Sequence, residues 1–283
     1  MWFLLLAPVF LYLAICAALY IGQTAILFPA AQVGPPDPLP ERAGRLELAS
    51  ASGERLNGVH IPPARPAGER LLLLGFAGNG WNAQSAAIFI AGLAPEADVV
   101  VFHYRGYAPS EGRPSAKALL ADSPLIHDFA VGRLRPARTI AVGLSIGTGV
   151  AASLASRRRL DGLILVTPFD SLELVAAGRY PWLPVRPLFR HRMDNVANLA
   201  GNRTPVAIIG AELDRVIPPG RTQALRDAAP NLVFDRTMSG VGHNDLYHGP
   251  AFAAAFREAL ASLRSPPEFP TCSPGTKIVH DRH

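Results

Sequence analysis

From Thr139 to Ser156 the chain reads TIAVGLSIGTGVAASLAS. Four residues of strand character, Thr139 to Val142, run straight into Gly143-Leu144-Ser145-Ile146-Gly147, and a helix of small residues follows. Gly-x-Ser-x-Gly between a strand and a helix describes a serine at the tip of a strained turn. Side chains two residues either side of Ser145 would collide with the neighbouring strand and helix, so Gly143 and Gly147 stand there. The turn lifts the Ser145 hydroxyl clear of the sheet. It also aims the first N–H groups of the new helix at whatever the hydroxyl attacks, where the helix dipole favours negative charge. The pentapeptide alone fits an ordinary Gly/Ser turn equally well, so its surroundings decide.

Those surroundings read as an α/β protein. Continuous apolar runs at 70–76, 98–104, 163–167 and 205–209, with the strand before Ser145, have the character of strands buried on both faces. Helical patterns occupy 83–93, 116–134, 146–157 and 220–229, and a last helix covers 251–263. Strands alternating with helices predict a mostly parallel sheet wrapped on both faces. Ahead of it, 46–48 and 55–61 around the Ser52-Gly53 turn read as an antiparallel hairpin. The 283 residues suffice for one sizeable domain, placed at 45–265. Residues 168–203 break the rhythm with Tyr180-Pro181-Trp182-Leu183-Pro184 and no clean strand. An insert there emerges at the C-terminal edge of the sheet and forms a small cap over Ser145, or else a plain surface loop with two short helices. Residues 266–283 read as a loose Pro-rich tail.

Residues 2–21 are almost wholly apolar, and no charged side chain precedes Asp37. Twenty such residues match a bilayer core, so 1–22 is expected to be a single-pass membrane anchor and 23–44 a Pro-rich linker. A cleaved signal peptide lacks its basic start and small-x-small site here, and Ile15 before Cys16 spoils a lipoprotein signal. The nearest cations, Arg42 and Arg45, follow the segment and favour a cytoplasmic domain; two arginines do not decide the side. Net charge is +5, but the basic residues are scattered, and Arg157-Arg158-Arg159 falls where cations complement a helix C-terminus. No nucleic-acid footprint is present. Cys16 and Cys272 lie in unlike contexts and are not expected to pair, and no Cys/His spacing suggests a metal site.

A serine hydroxyl needs a base to become a nucleophile. Gly242-His243 lies in a loop before the last helix, and Asp214 follows the predicted strand at 205–209. His243 can take the proton, and Asp214 can hold its ring in the required tautomer. The chain order Ser, Asp, His is the one this kind of fold uses. Glu212 and Asp170 are the competing acids, and His248 the competing base. His60, His103, His127 and His191 fall in strand, helix or cap contexts and are expected to be structural or exposed. The oxyanion of such a reaction needs two N–H donors. Ile146 supplies one from the turn, and Asn79, in the loop Ala77-Gly78-Asn79-Gly80, is the candidate for the other.

Taken together, Phe76-Ala77-Gly78-Asn79, Tyr104-Arg105-Gly106-Tyr107 with Ser110-Glu111-Gly112, Gly143 to Gly147, Asp214 and Gly242-His243 resemble the α/β-hydrolases over residues 45–265. The likeness is to a membrane-associated branch with a Gly-Asn oxyanion loop and an Arg-Gly-Tyr turn. That branch usually has His where Ala77 stands and often Asp where His103 stands. The resemblance implies an α/β-hydrolase fold and a membrane-anchored serine hydrolase acting on a small acyl or ester substrate, an ester or thioester. No metal or organic cofactor is called for. An acyltransferase or peptidase on the same three residues, or a tethered protein with no chemistry, are the alternatives. A dinucleotide oxidoreductase is also weighed: Gly78-x-Gly80-x-x-Ala83 fits its loop, but His103 stands where that fold needs an acid. The sequence sets neither the oligomeric state nor the particular acyl group.

Overall fold

The computed structural model describes residues 2–66 and 68–264. The tail expected at 266–283, Cys272 included, lies outside the described residues. In chain order the elements are α1 (Trp2–Leu27), β1 (Gly44–Ala49), β2 (Arg55–Ile61), β3 (Leu71–Phe76), α2 (Ala83–Leu93), β4 (Asp98–Phe102), α3 (Ala116–Leu134), β5 (Arg138–Leu144), α4 (Gly147–Ala155) and β6 (Gly162–Val166). Three short helices follow, α5 (Leu172–Arg179), α6 (Val185–Leu188) and α7 (Asn195–Leu199). Then come β7 (Val206–Ala211), α8 (Pro219–Ala228), β8 (Leu232–Met238) and α9 (Pro250–Arg264).

The strands form one sheet in the order β1-β2-β4-β3-β5-β6-β7-β8. The β1–β2 and β2–β4 pairs are antiparallel, and every other pair is parallel. The inner strands β3, β4, β5, β6 and β7 are apolar because both their faces are covered, and β3, β4 and β6 are buried at every position. Buried side chains of α2 and α9 fill one face, and those of α3, α4 and α8 the other. Asn82 and Ser115 cap α2 and α3 by accepting from Gln84 N–H and Ala118 N–H, which fixes where both helices start.

Strand β8 has no counterpart among the expected elements. Its residues alternate between half-buried and exposed, and Asp235 and Arg236 interrupt its apolar pattern. It is the outer strand beside β7, so only one edge and part of one face are covered. The insert between β6 and β7 is closed at its base by a bridge between Ser171 and Asp194 and by Leu172 N–H donating to Met193 O.

Helix α1 runs five residues past the expected boundary at 22. Its stretch Leu6–Leu27 is long and apolar enough to cross a membrane. The segment after it does not behave as a free linker. Phe28 is buried in the core beside His191. Asn82 Nδ2 donates to Gly34 O and Gln84 Nε2 to Asp37 O, which straps 28–37 across the start of α2.

At the opposite, N-terminal edge of the sheet, the buried carboxylate of Asp98 accepts from His60 Nε2 (2.6 Å) and from Arg70 Nε (2.7 Å). Burial pushes this carboxyl up, and the bonds from His60 and Arg70 with the Arg70 charge overcome that, holding it at about 2. Its folded pKa lies below its unfolded value, so its stabilisation is present above about pH 4 and is lost as pH falls toward about 2. Asp98→Asn is therefore expected to destabilise the fold by about 2 kcal/mol at neutral pH. Urea melts at neutral and acid pH check this, because the gap to the parent chain should shrink as the pH approaches about 2.

Candidate active site

Strand β5 delivers Ser145 at the centre of the sheet. Ser145 has φ +52°, a left-handed conformation that non-glycine residues seldom adopt, and its N–H donates to Val166 O at 2.9 Å. The turn is tight enough to exclude side chains at its flanks. A Cβ on Gly147 would run into the Phe76 carbonyl, and one on Gly143 would stand 2.6 Å from Thr148 Cα. The Ser145 carbonyl accepts from Thr148 N–H (2.9 Å) and from Thr148 Oγ1 (2.7 Å), which fastens the serine to the first turn of α4.

The structure brings His243 and Asp214 to this serine. His243 Nε2 lies 2.8 Å from Ser145 Oγ, and His243 Nδ1 lies 2.7 Å from Asp214 Oδ2. All three are buried, with 9% or less of each residue exposed. The other Asp214 oxygen accepts from Val216 N–H and Ile217 N–H, both at 2.8 Å. A carboxylate only accepts, so Nδ1 must carry the proton and Nε2 must present its lone pair to the serine hydroxyl.

Two loops hold that geometry. Leu213 N–H donates to Val241 O, joining the Asp214 loop to the His243 loop. Glu212, the competing acid, is committed elsewhere: its carboxylate accepts from Ser239 Oγ (2.6 Å) and Gly240 N–H (2.8 Å). Those bonds hold its pKa down. Asp170, the other competitor, pairs with Arg221 at 3.0 Å. His248 is exposed beyond the short helical turn Asp245–Tyr247.

The loop 77–80 lies against the serine turn, since a Cβ on Gly78 would stand 3.8 Å from Ser145 Cβ. Ile146 N–H opens α4, where helical N–H groups have no partner within the helix. Asn79 is exposed, and its side-chain oxygen accepts from Tyr107 Oη at 3.2 Å. Tyr104 Oη donates to Ala77 O at 2.8 Å. Both phenols belong to the Tyr104–Tyr107 turn, which Arg105 clamps through its ion pairs with Asp122 and Glu54. Burial lifts the Tyr104 hydroxyl well above its ordinary range, so it remains a neutral donor. The turn itself is legible in the sequence, but its bonds to the loop are not; the two are some 27 residues apart and meet only across β3 and β4.

At the two departures from the resembled pattern, Ala77 offers its carbonyl to Tyr104, and His103 is buried. Burial, with the Arg45 charge, brings the His103 imidazole down to about 4, leaving it neutral. His60, His127 and His191 partner Asp98, Asp128 and Thr24 respectively, away from Ser145. Trp81, next to the loop, packs edge-on against Tyr247 at 5.2 Å and so ties it to the His243 side of the site. Among the described residues, no group of three or more His, Cys, Asp or Glu is placed to hold a metal ion.

Comparison with known proteins agrees with the fold. A family model for the alpha/beta hydrolase fold matches residues 71–203. An uncharacterised protein of Mycobacterium tuberculosis is 33% identical over 242 residues, covering 83% of this chain and 85% of its own. An uncharacterised membrane protein of Saccharomyces cerevisiae is 30% identical over 157 residues, covering 52% and 55%. Among solved structures, an esterase of Pyrococcus furiosus superposes with a TM-score of 0.65 at 14% identity, over 82% of this chain and 98% of that one. An alpha-beta hydrolase of Vibrio vulnificus gives 0.63 at 20% identity, over 79% and 81%.

Proposed function

The chain belongs to the alpha/beta hydrolase superfamily, and from that premise we propose that it is a membrane-anchored serine hydrolase that cleaves carboxylic esters or thioesters of lipid-like acyl groups. The observation that carries this reading is the unbroken hydrogen-bonded line from Asp214 through His243 to Ser145. Ser145 Oγ attacks the carbonyl carbon while His243 Nε2 takes its proton. The carbonyl oxygen becomes an oxyanion, met by the N–H groups of Ile146 and Asn79. His243 then returns the proton to the departing alcohol or thiol, leaving an acyl group on Ser145. Water, deprotonated by His243, releases the acid and restores the hydroxyl.

Helix α1 anchors the protein, 45–265 form the catalytic domain, and 168–203 cap it. The yeast relative described as a membrane protein supports the anchoring. A groove between α1 and the insert, walled by Cys16, Leu19, Tyr20 and Leu27 on one side and Leu183 and Phe189 on the other, is apolar enough for an acyl chain, and its walls do not include Ser145, Asp214 or His243.

The test is covalent. Full-length protein in vesicles, treated with a fluorophosphonate, is expected to be modified on the tryptic peptide containing Ser145 and to cleave p-nitrophenyl esters with a preference for longer chains. No modification and no turnover along the series would leave a tethered protein without chemistry.

The phenol of Tyr104 supplies a finer prediction. Tyr104→Phe should lower kcat about 10- to 100-fold with KM nearly unchanged, because the freed Ala77 carbonyl lets the oxyanion loop drift from Ser145. Affinity for a trifluoromethyl ketone, which mimics the oxyanion, should fall in parallel. A loss of thermal stability with kcat intact would show that the bond is only structural.

A further inference from the structure

We propose that the tip of the β6–β7 insert, Tyr180 to Val185, enters the bilayer leaflet beside α1, as a second membrane attachment with a belt of arginines at anionic headgroups. The proposal rests on the membrane-anchored reading of α1 and not on the hydrolytic one.

The insert touches the helix at two levels. Gln23 Nε2 donates to Leu188 O, Gln23 Oε1 accepts from Arg190 N–H, and Arg190 donates to Tyr20 O with its guanidinium 4.7 Å over the Tyr20 ring. Eleven residues nearer the N-terminus, Tyr12 Oη donates to Trp182 O at 3.0 Å. At about 1.5 Å per residue, the insert therefore climbs roughly 16 Å along α1 between those two levels. Half of a hydrocarbon core is about 15 Å thick. With residues 2–21 filling that core, Gln23 and Arg190 stand at the headgroups and Trp182 stands near the bilayer centre. A docked insert and a membrane-spanning α1 are compatible only if the tip is itself in lipid.

The chemistry of the tip suits that place. Its residues are Tyr-Pro-Trp-Leu-Pro-Val. The two prolines bring no N–H, and the N–H groups of Tyr180, Leu183 and Val185 donate to Ala176 O, Tyr180 O and Leu183 O. Three of the tip's four backbone N–H groups are thus satisfied internally, as hydrocarbon favours, and among the described residues only that of Trp182 has no partner. Trp182 is 54% exposed, against the general burial of large apolar side chains in this fold. From Arg179 to Arg192 the chain carries four arginines and no acid. Arg179, Arg186 and Arg190 are exposed, and among the described residues none of the three forms an ion pair; Arg192 alone reaches a carboxylate, that of Glu173. This composition, aromatic tip and cationic flanks, complements an anionic lipid surface.

The experiment uses full-length chain with Cys16→Ser and Cys272→Ser, labelled with an environment-sensitive fluorophore at one introduced cysteine and reconstituted in phosphatidylcholine–phosphatidylglycerol vesicles. Leu183→Cys reports the tip, Leu11→Cys reports α1, and Val233→Cys on β8 reports an exposed apolar site away from the insert. The expected result is that spin-labelled lipids quench the tip label several-fold more than the β8 label, and nearly as much as the α1 label, while aqueous iodide gives the reverse order. A lipid-quenched α1 label with an iodide-quenched tip label would overturn the proposal and leave the anchor standing. Iodide access to both labels would overturn the proposal together with the anchor. In unlabelled protein, Trp182→Phe should remove a share of the tryptophan emission quenched by brominated lipid; no loss would count against insertion. The double variant Arg179→Glu/Arg186→Glu should draw the tip label outward in anionic vesicles and not in neutral ones. An equal response in both would overturn the role assigned to the arginines.

Discussion

His243→Ala is expected to lower kcat on an ester substrate by about 10^6-fold, to the level that binding and the oxyanion donors provide unaided. The size follows from what remains. Ser145 Oγ loses the base that stands within hydrogen-bond reach, 2.8 Å away, and a neutral hydroxyl is a poor nucleophile. The fold should tolerate the change. Asp214 still accepts from Val216 N–H and Ile217 N–H, so its carboxylate keeps partners after the imidazole is gone. Burst kinetics and thermal melts, run together, separate the two effects. A large fall in melting temperature would shift the blame to folding, and retention of more than a small fraction of the activity would remove His243 from the chemistry.

Asp214→Asn is expected to cost about 10^4-fold in kcat. The neighbouring backbone decides how the amide sits. Two N–H groups, those of Val216 and Ile217, point at one oxygen of Asp214. The amide carbonyl must take that place, because its NH2 group would meet two donors there. The NH2 group is then forced onto His243 Nδ1, which has to accept and so gives up its proton to Nε2. The imidazole now faces Ser145 with an N–H in place of a lone pair. Geometry is preserved and the tautomer is wrong, so substrate binding should change little while acylation collapses. Nitrogen NMR of labelled histidine would show which ring nitrogen carries the proton. Activity near that of the parent would mean that another group orients the imidazole.

Much of this arrangement is legible in the amino-acid sequence. Ser145, Asp214 and His243 can be found because each follows a strand or precedes a helix in a fixed chain order, and because the turn around Ser145 admits only glycine at its flanks. The parallel strands β3 to β7 are legible for a related reason: burial on both faces leaves an uninterrupted apolar run. What stays hidden depends on pairing across the fold. Nothing local to Tyr104 says that its hydroxyl will meet Ala77, and nothing in Glu212 says that it will hold Ser239 and Gly240 in place of a histidine. Strand β8 escapes notice because an outer strand is covered on one side and so carries Asp235 and Arg236 amid its apolar residues. Phe28 falls in the stretch that reads as a Pro-rich linker, and only the folded core shows it to be one of the domain's own buried side chains.

The strap formed by residues 28–37 alters what a truncated form of this protein would be. Cleavage just before Gly44 would remove Phe28 from the interior and strip Gly34 and Asp37 from the start of α2, immediately after the loop that carries Asn79. A domain shed in that way would lack α1, keep only the insert tip to meet a bilayer, and be slack at the loop that carries Asn79. Its weak activity would then reflect a lost brace as well as a lost anchor, whereas a cut before Phe28 would spare the brace and remove α1 together with its contacts to Leu188, Arg190 and His191.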